Sequence, residues 1–148
     1  MARAGEHEGD YLPIAEHGMV GDLHTVALVG TNSTEPVDYP DTARAAAELV
    51  RSGQADRAVV VCGSGAGVAV AACKFPGIRA ACAHDTYTGH QAVQHDDVNV
   101  LCLGARVVGP ALAGEIIAAF LAAEFTGEER HVRRLGKINA IEHEFTAG

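Results

Sequence analysis

Short apolar runs alternate with helix-like segments along most of this chain, starting at about residue 25. Polar residues hardly interrupt the runs, and this pattern is typical of strands that are buried on both faces of a parallel sheet. The runs are Thr25 to Val29, Ala58 to Val61, Ile78 to Ala83 and Val98 to Leu103. Their alternation with helices predicts βαβ units and therefore an α/β, three-layer, doubly wound domain.

Capping residues predict where the intervening helices begin. Aspartate is a favoured N-cap residue, and a glycine followed by proline fits the N-cap and N1 positions. The expected helices are Asp41 to Arg51, ended by Gly53; Val68 to Lys74; Asp85 to about Gln94; and a helix with Gly109 at its N-cap and Pro110 at N1.

The first 24 residues differ from the rest, because glycine and proline interrupt any helical or strand period there. The interruptions are Gly5, Gly9, Pro13, Gly18 and Gly21. We therefore expect a single domain over residues 1–148, with an irregular N-terminal segment over residues 1–24 and a C-terminal helix over about residues 131–145.

Length and charge narrow the class of protein. The 148 residues are 48% hydrophobic, which is enough apolar surface for one substantial core. The net charge is −8, with 11 basic residues against 19 acidic ones. Self-repulsion of this kind disfavours nonspecific binding to nucleic acid or to an anionic membrane. A small anionic ligand is compatible with the sequence only at a locally basic site.

The four cysteines, at positions 62, 73, 82 and 102, lie in or beside apolar runs. They form neither a CxxC pair nor the Cys/His spacing of a zinc site, so we expect reduced thiols and no metal. The chain shows no signal peptide and no apolar segment of the roughly 20 residues that span a bilayer. These features predict a cytoplasmic protein.

The segment Cys62 to Gly67 reads Cys-Gly-Ser-Gly-Ala-Gly and follows a buried strand. Such a strand-to-helix turn presents free backbone N–H groups, and Ser64 adds a hydroxyl. A dinucleotide fingerprint requires glycine at position 68 and a cysteine phosphatase loop requires arginine there, but the residue is Val68. Two interpretations of Cys62 remain open, a reactive base or nucleophile and a buried structural thiol.

Two further groups of residues are candidates for chemistry. His95 precedes a predicted strand, so in a parallel sheet it lies at the edge away from Cys62 and reaches that site only from another subunit. Arg130 and Arg134 are one helical turn apart and share a face that fits a phosphate. With His131, Arg133 and Lys137 they form a dense basic cluster in an acidic chain. A solvated charged face is the alternative interpretation of that cluster.

Together these segments make the chain similar to the ribose-5-phosphate isomerase B family, which includes the galactose-6-phosphate isomerase subunits. The resemblance runs from Gly30 to about Glu142. It rests on GTNSTEPVDYPD, CGSGAGVAVAACKFPGIRA, HDTYTGHQAVQHDDVNVLCLGARVVGP and ERHVRRLGKI, in that order. It implies a Rossmann-like fold with a five-stranded parallel sheet, assembled as a homodimer or a dimer of dimers with active sites between subunits.

The resemblance also implies the activity and the roles of residues. The activity is an intramolecular oxidoreduction that converts an aldose phosphate to a ketose phosphate, first of all ribose 5-phosphate to ribulose 5-phosphate, without a cofactor. Cys62 is implied as the base of a cis-enediolate mechanism, and His95 as the group that opens the sugar ring. By the same resemblance, Ser64 and the N–H groups of Gly63, Gly65 and Gly67 stabilise the enediolate oxygen. Arg106, Arg130 and Arg134 are implied to bind the phosphate, and Tyr39 to line the pocket.

Two positions depart from the family pattern. The family's first strand ends in a Gly-x-Asp-His-x-Gly motif, and here His7 matches its histidine while Glu6 stands for the aspartate and the first strand is atypical. Asp96 follows His95 where the family usually has asparagine, so a substrate-facing amide is replaced by a carboxylate. These changes motivate a second hypothesis, a catalytically weak sugar-phosphate-binding subunit or pseudoenzyme of the same fold.

Overall fold

Helices and strands alternate through the part of the chain that the computed structural model describes, residues 27–31, 33 and 35–146. The elements are α1 Tyr39–Arg51, β1 Ala58–Cys62, α2 Ala66–Ala72, β2 Ala80–Cys82, α3 Thr86–Asp96, β3 Val100–Gly104, α4 Pro110–Ala122 and α5 Glu129–Thr146. The alternation confirms the α/β prediction. The irregular N-terminal segment and the atypical first strand predicted before residue 25 lie outside the described residues. None of the described helices combines the length and apolarity that crossing a bilayer requires.

The sheet has three parallel strands within the described residues, in the order β1-β3-β2. β3 is central and all five of its residues are buried. Five strands were expected. Of the predicted strand Thr25 to Val29, positions 25 and 26 lie outside the described residues, and residues 27–29 form irregular, exposed chain, with Leu28 58% exposed. The strand prediction is therefore wrong for residues 27–29.

Successive side chains of β1 enter two different cores, because the side chains of a strand alternate between its faces. Val61 packs with buried residues of α3 and α4, whereas Val60 and Cys62 pack with buried residues of α1 and α2. The largest buried side chains of the first core include Phe120, Leu101, Leu103, Ile116 and Ile117. The result is the predicted three-layer arrangement, with helices on both faces of the sheet.

The helix caps agree with the sequence at two positions and differ at one. Asp85 caps α3 as predicted, since its carboxylate accepts a hydrogen bond of 2.7 Å from the Thr88 backbone N–H. Gly109 and Pro110 begin α4 as predicted. Asp41 is not the N-cap of α1, because the helix begins at Tyr39 and Asp38 takes that position. Pro40 explains the earlier start, because its fixed φ suits the first turn of a helix.

The other bounds shift by at most two residues. α2 begins at Ala66, two residues before the expected start, and α3 extends to Asp96. β3 begins at Val100, not at Val98, because Asp97 ends α3 in the left-handed conformation with φ 50°. Between the two elements, the Asn99 carboxamide oxygen accepts a hydrogen bond of 2.9 Å from the Arg79 backbone N–H. A side chain therefore links the segment before β3 to the segment before β2.

Gly104, the last residue of β3, allows the loop after β1 to fold over the end of the sheet. A Cβ at this position would lie 2.7 to 2.9 Å from backbone atoms of Ser64, closer than real Cβ atoms approach. The N–H of Ala105, the next residue, donates to the Cys62 carbonyl at 2.8 Å and ties the two strand ends together. The absence of a side chain at position 104 is thus a condition of this loop structure.

Replacing Gly104 with alanine should therefore destabilise the protein. The new methyl group meets backbone, which cannot turn away as a flexible side chain can, and overpacking of this kind costs about 1–3 kcal/mol. Thermal and denaturant unfolding measure the change. Gly136→Ala is the matched control, because a Cβ there meets nothing within 4 Å and the position is helical. Equal stability of Gly104→Ala and wild type would contradict the close approach.

Asp85→Ala should lower the melting temperature in a pH-dependent way. The Thr88 backbone N–H, and then its hydroxyl, lower the pKa of Asp85 below its usual value near 3.8. The folded protein thus gains stability from the carboxylate above that value, and loses it as the pH falls through the lower pKa of the folded state. The difference between variant and wild type should be constant near neutral pH and should shrink below about pH 4. Asp56→Ala, which removes another exposed aspartate, is the matched control.

Candidate active site

A cavity of about 330 Å³ opens where β1 ends. It lies at the carboxyl end of the parallel sheet, where α/β folds bind their ligands. Its lining consists of Tyr39, Cys62, Gly63, Ser64, Gly67, Arg106 and Val107. A wider depression of about 680 Å³ lies beside α1, but among the described residues its lining includes the carboxylates Asp38 and Asp41 and no basic side chain. The smaller cavity is therefore the better candidate for an anionic ligand.

Cys62 is one of the residues that line this cavity. The residue is 5% exposed, and the Gly65 backbone N–H donates a hydrogen bond of 3.2 Å to its Sγ. The Ser64 hydroxyl oxygen accepts a hydrogen bond of 3.3 Å from the Ala66 N–H, and Ser64 itself is exposed. Its own proton can therefore be donated into the cavity. The arrangement combines a cysteine whose thiolate can accept a proton with donors that can stabilise a developing oxyanion.

The other cysteines are less suited to proton transfer. Burial raises the pKa of Cys102 strongly, and burial also raises the pKa of Cys82, with the neighbouring thiols adding to both effects. Both therefore stay protonated at neutral pH. Cys73 is exposed, and its thiol donates to the Ala80 carbonyl at 3.4 Å. Cys62 is the cysteine that lines the cavity.

The glycines of the loop admit close neighbours on several sides. A Cβ on Gly67 would lie 2.9 to 3.0 Å from the Tyr39 ring, so this glycine allows the ring to form one wall. A Cβ on Gly63 would lie 3.7 Å from the Arg106 side chain, which forms another wall. Gly65 has φ +82° and packs on the backbone at the end of β3 and on the sulfur of Cys82. Gly65 therefore permits a tight turn in addition to leaving room for a ligand.

His95 lies at the opposite end of the sheet, where the strands begin. Ala58 pairs with Val100 at the amino end of β1 and β3, and Cys62 pairs with Gly104 at their carboxyl end. The two ends are roughly 13 Å apart, at about 3.3 Å for each residue step. His95 comes five residues before β3, so it lies at the amino end. Its exposed neighbour Asp96 ends α3 at the same end of the sheet.

The structure thus gathers the predicted site residues into two groups. The first group lines the cavity and comprises Cys62, Ser64, Tyr39, Gly63, Gly67 and Arg106. Gly65 belongs to the same loop but packs on the end of β3. The second comprises His95, Asp96 and the α5 residues Arg130 and Arg134. Arg130 donates to the Glu128 carboxylate at 2.8 Å and is half exposed. His7 lies outside the described residues. A single chain does not bring the two groups together.

His131 has surroundings that sequence patterns did not reveal. The sequence grouped it with a basic cluster, but the residue is 1% exposed and its ring stacks on His95, with centroids 4.1 Å apart. Burial, then His95 and Arg130, lower its pKa, so at neutral pH the ring is uncharged. Thr126 at 2.7 Å from Nδ1 is its polar partner. No local signal marks these contacts, because they join residues of different elements.

Comparison with known proteins agrees with this fold. The chain matches the family described as Ribose/Galactose Isomerase over residues 13–138. Ribose-5-phosphate isomerase B of Escherichia coli is 44% identical over 113 residues, which cover 76% of this chain and 75% of that protein. D-erythrulose-4-phosphate isomerase 2 of Mycolicibacterium smegmatis is 42% identical, covering 83% and 80%.

Solved structures lead to the same family. Ribose-5-phosphate isomerase B of Clostridium thermocellum is 48% identical to this chain, with a TM-score of 0.77, and the match covers 79% of this chain and 78% of that one. The likeness confirms the Rossmann-like α/β fold with a parallel sheet. Family match, relatives and solved structure agree along most of the chain. This protein therefore belongs to the ribose/galactose isomerase family and is a sugar-phosphate aldose–ketose isomerase.

Proposed function

We propose that this protein interconverts ribose 5-phosphate and ribulose 5-phosphate, with Cys62 as the base. The observation that carries the proposal is the position of Cys62, which lines the cavity and whose sulfur accepts a hydrogen bond from the Gly65 backbone N–H. Relatives named ribose-5-phosphate isomerase B support the five-carbon substrate. Other relatives are named for erythrulose 4-phosphate or galactose 6-phosphate, so we take ribose 5-phosphate as the first substrate to assay.

The proposed reaction is a proton transfer between two neighbouring carbons. The Cys62 thiolate removes the proton from C2 of the open-chain aldose, and a cis-enediolate forms. The same proton is delivered to C1 while the hydroxyl proton at O2 moves to O1, so the ketose results without net loss or gain of atoms. The Ser64 hydroxyl and the loop N–H groups stabilise the enediolate oxygen because they are already oriented toward the cavity. Positioned acids and bases suffice for this chemistry.

The second group of residues is proposed to come from a partner subunit. Within one chain, His95 and Cys62 lie at opposite edges of the sheet. A second copy, in a homodimer or a dimer of dimers, can present His95, Arg130 and Arg134 to the cavity of the first. His95 then opens the sugar ring, and the two arginines bind the phosphate together with Arg106. Asp96, His7 and Tyr39 complete the proposed substrate contacts.

Other expectations go with this assignment. We propose that the reaction takes place in the cytoplasm, in keeping with four free cysteines. We propose that the sheet has the five strands of the family, of which three lie within the described residues.

One observation favours the weaker alternative, a sugar-phosphate-binding subunit with little turnover. Asp96 is an exposed carboxylate beside His95, where the family usually has asparagine. A negative charge near a developing enediolate opposes the reaction. Phosphosugar binding by calorimetry without turnover on four- to six-carbon aldose phosphates would favour this alternative, and a gain of rate in Asp96→Asn would identify its cause.

Cys62→Ala should abolish most of the isomerase activity on ribose 5-phosphate. Loss of a positioned base costs about 100- to 10,000-fold in rate. A coupled assay for ribulose 5-phosphate measures the change, with Cys73→Ala as the matched control because Cys73 is exposed and does not line the cavity. An unchanged rate in Cys62→Ala would show that another group is the base.

Mixing two inactive variants should restore activity if sites are shared between subunits. Cys62→Ala and His95→Asn are unfolded together, refolded and assayed. In a mixed dimer, one site has both substitutions and the other has neither. Random pairing in equal amounts therefore leaves about a quarter of all sites intact in a two-fold symmetric dimer. Each variant refolded alone is the control. Failure of the mixture to exceed these controls would place His95 and Cys62 in one chain's site or remove His95 from the site.

A further inference from the structure

We propose that His131 is a positioning residue for His95, holding the imidazole of His95 in the orientation in which it opens the sugar ring. The inference rests on the proposed function, because it takes His95 as the ring-opening group. It adds to that function a residue that does not itself touch the substrate. His131 is fixed from one side by Thr126 and presents its face to His95 on the other.

The stack between the two imidazoles is the first observation. Their centroids are 4.1 Å apart and their planes are inclined by 29°. Aromatic pairs favour such offset stacking, which restricts rotation of both rings about the bond to Cβ. His131 is 1% exposed, whereas His95 is only partly buried. The buried His131 ring therefore limits the orientations that the more accessible His95 ring can adopt.

Thr126 links this pair to the backbone of α3. Its N–H donates to the Gln94 carbonyl at 3.1 Å, next in sequence to His95. Its Oγ1 lies 2.7 Å from His131 Nδ1 and also accepts from the Glu128 N–H at 3.3 Å. One residue thus fixes the rotation of the His131 ring and its distance from the end of α3. Through Thr126, the connection between α4 and α5 fixes the position of His131 relative to the end of α3 that carries His95.

The remaining polar atom of the ring is the second observation. His131 Nε2 is buried and has no hydrogen-bond partner among the described residues. A buried polar atom without a partner costs about 1–3 kcal/mol. Packing alone does not explain why this position carries an imidazole, because an apolar ring would fill the same space without this cost. The polar contact that the imidazole provides is the one at Nδ1, where Thr126 orients it.

The charges around His131 keep the pair compatible with acid–base chemistry at His95. The groups that face it are His95 on α3 and Glu128, Arg130 and Arg134 on or beside its own helix. Burial, the adjacent His95 and the arginines together outweigh the single carboxylate, and the pKa of His131 is lowered. A neutral partner does not repel a proton on His95, as a second cation 4.1 Å away would.

The decisive experiment compares His131→Asn with His131→Phe. Asparagine keeps a polar group near Thr126 but removes the ring, whereas phenylalanine keeps a ring for His95 to stack on. We expect His131→Asn to lower kcat for ribose 5-phosphate by about 10- to 100-fold, the usual effect of a misplaced catalytic group. His131→Phe should recover part of it, because it keeps the stack on His95 but loses the contact with Thr126. His143→Asn, an exposed histidine on the same helix, is the matched control and should keep the wild-type rate.

A four-carbon substrate separates ring opening from proton transfer. Erythrose 4-phosphate cannot close a furanose ring, because its O4 carries the phosphate, so its isomerisation does not need the ring-opening step. All three variants should use it at the wild-type rate. A wild-type rate of His131→Asn on ribose 5-phosphate would overturn the positioning role. An equal loss on both substrates would also overturn it, since that result indicates damage to the fold or to the Cys62 site.

A spectroscopic readout keeps this inference apart from the proposed function. Stacking shifts the His95 ring protons upfield in NMR spectra, and this shift should disappear in His131→Asn and persist in His131→Phe and His143→Asn. If the wild type fails to turn over ribose 5-phosphate, the proposed substrate is wrong, and the NMR comparison alone decides whether His131 holds His95. A His95 signal that is the same in His131→Asn and in the wild type would overturn the inference without any assay.

Discussion

The candidate site depends on how closely the loop after β1 approaches the end of β3. Gly104 allows this approach because the Ser64 backbone occupies the space that a Cβ would take. With the loop closed, the Gly65 N–H reaches the Cys62 sulfur. The Tyr39 ring meets Gly67 in the same closed loop. The thiol, the donors and the aromatic wall are therefore consequences of one backbone contact.

The direction of the strands imposes a second constraint. In a parallel sheet the carboxyl ends of all strands lie on the same side, so a residue that precedes β3 cannot lie beside a residue that ends β1. The histidine pair accordingly lies at the amino end of the strands. There the Arg79 guanidinium donates to the Asp97 carboxylate and to its carbonyl, both at 2.6 Å, and fixes the turn between α3 and β3. The fold thus builds two groups of candidate residues and keeps them apart within one chain.

Features specified by neighbouring residues were predictable from the sequence, and features specified by distant ones were not. The Asp85 cap, the Gly109–Pro110 helix start and the strand-to-helix loop at Cys62 depend on residues that are close in sequence, and the structure contains all three. The start of α1 was missed because proline in the first turn outweighed the more obvious aspartate.

The same distinction holds for the candidate site. The order of residues in the loop after β1 indicated a thiol beside backbone donors, and the structure places Cys62 and Ser64 at the cavity. The importance of Gly104 could not be predicted, since its neighbour Ser64 is 40 residues away in the chain. His131 looked like one more basic residue because burial is decided by packing among α3, α5 and the Thr126 connection. The sequence pattern thus predicts which functional groups are neighbours in a loop. Whether a group such as His131 is buried, and therefore uncharged, depends on contacts with residues that are distant in sequence.

The cysteines show how position in the fold, more than residue type, selects a reactive group. Cys102 is on the central strand, where burial makes ionisation unfavourable. Cys73 lies beyond the end of α2, exposed and away from the cavity. Cys62 lies where a strand gives way to a loop, so its sulfur is shielded from bulk water yet faces a cavity and a backbone N–H donor. A strand end combines shielding, access and hydrogen-bond donors, which neither a strand centre nor a free surface provides, and proton transfer from carbon needs all three.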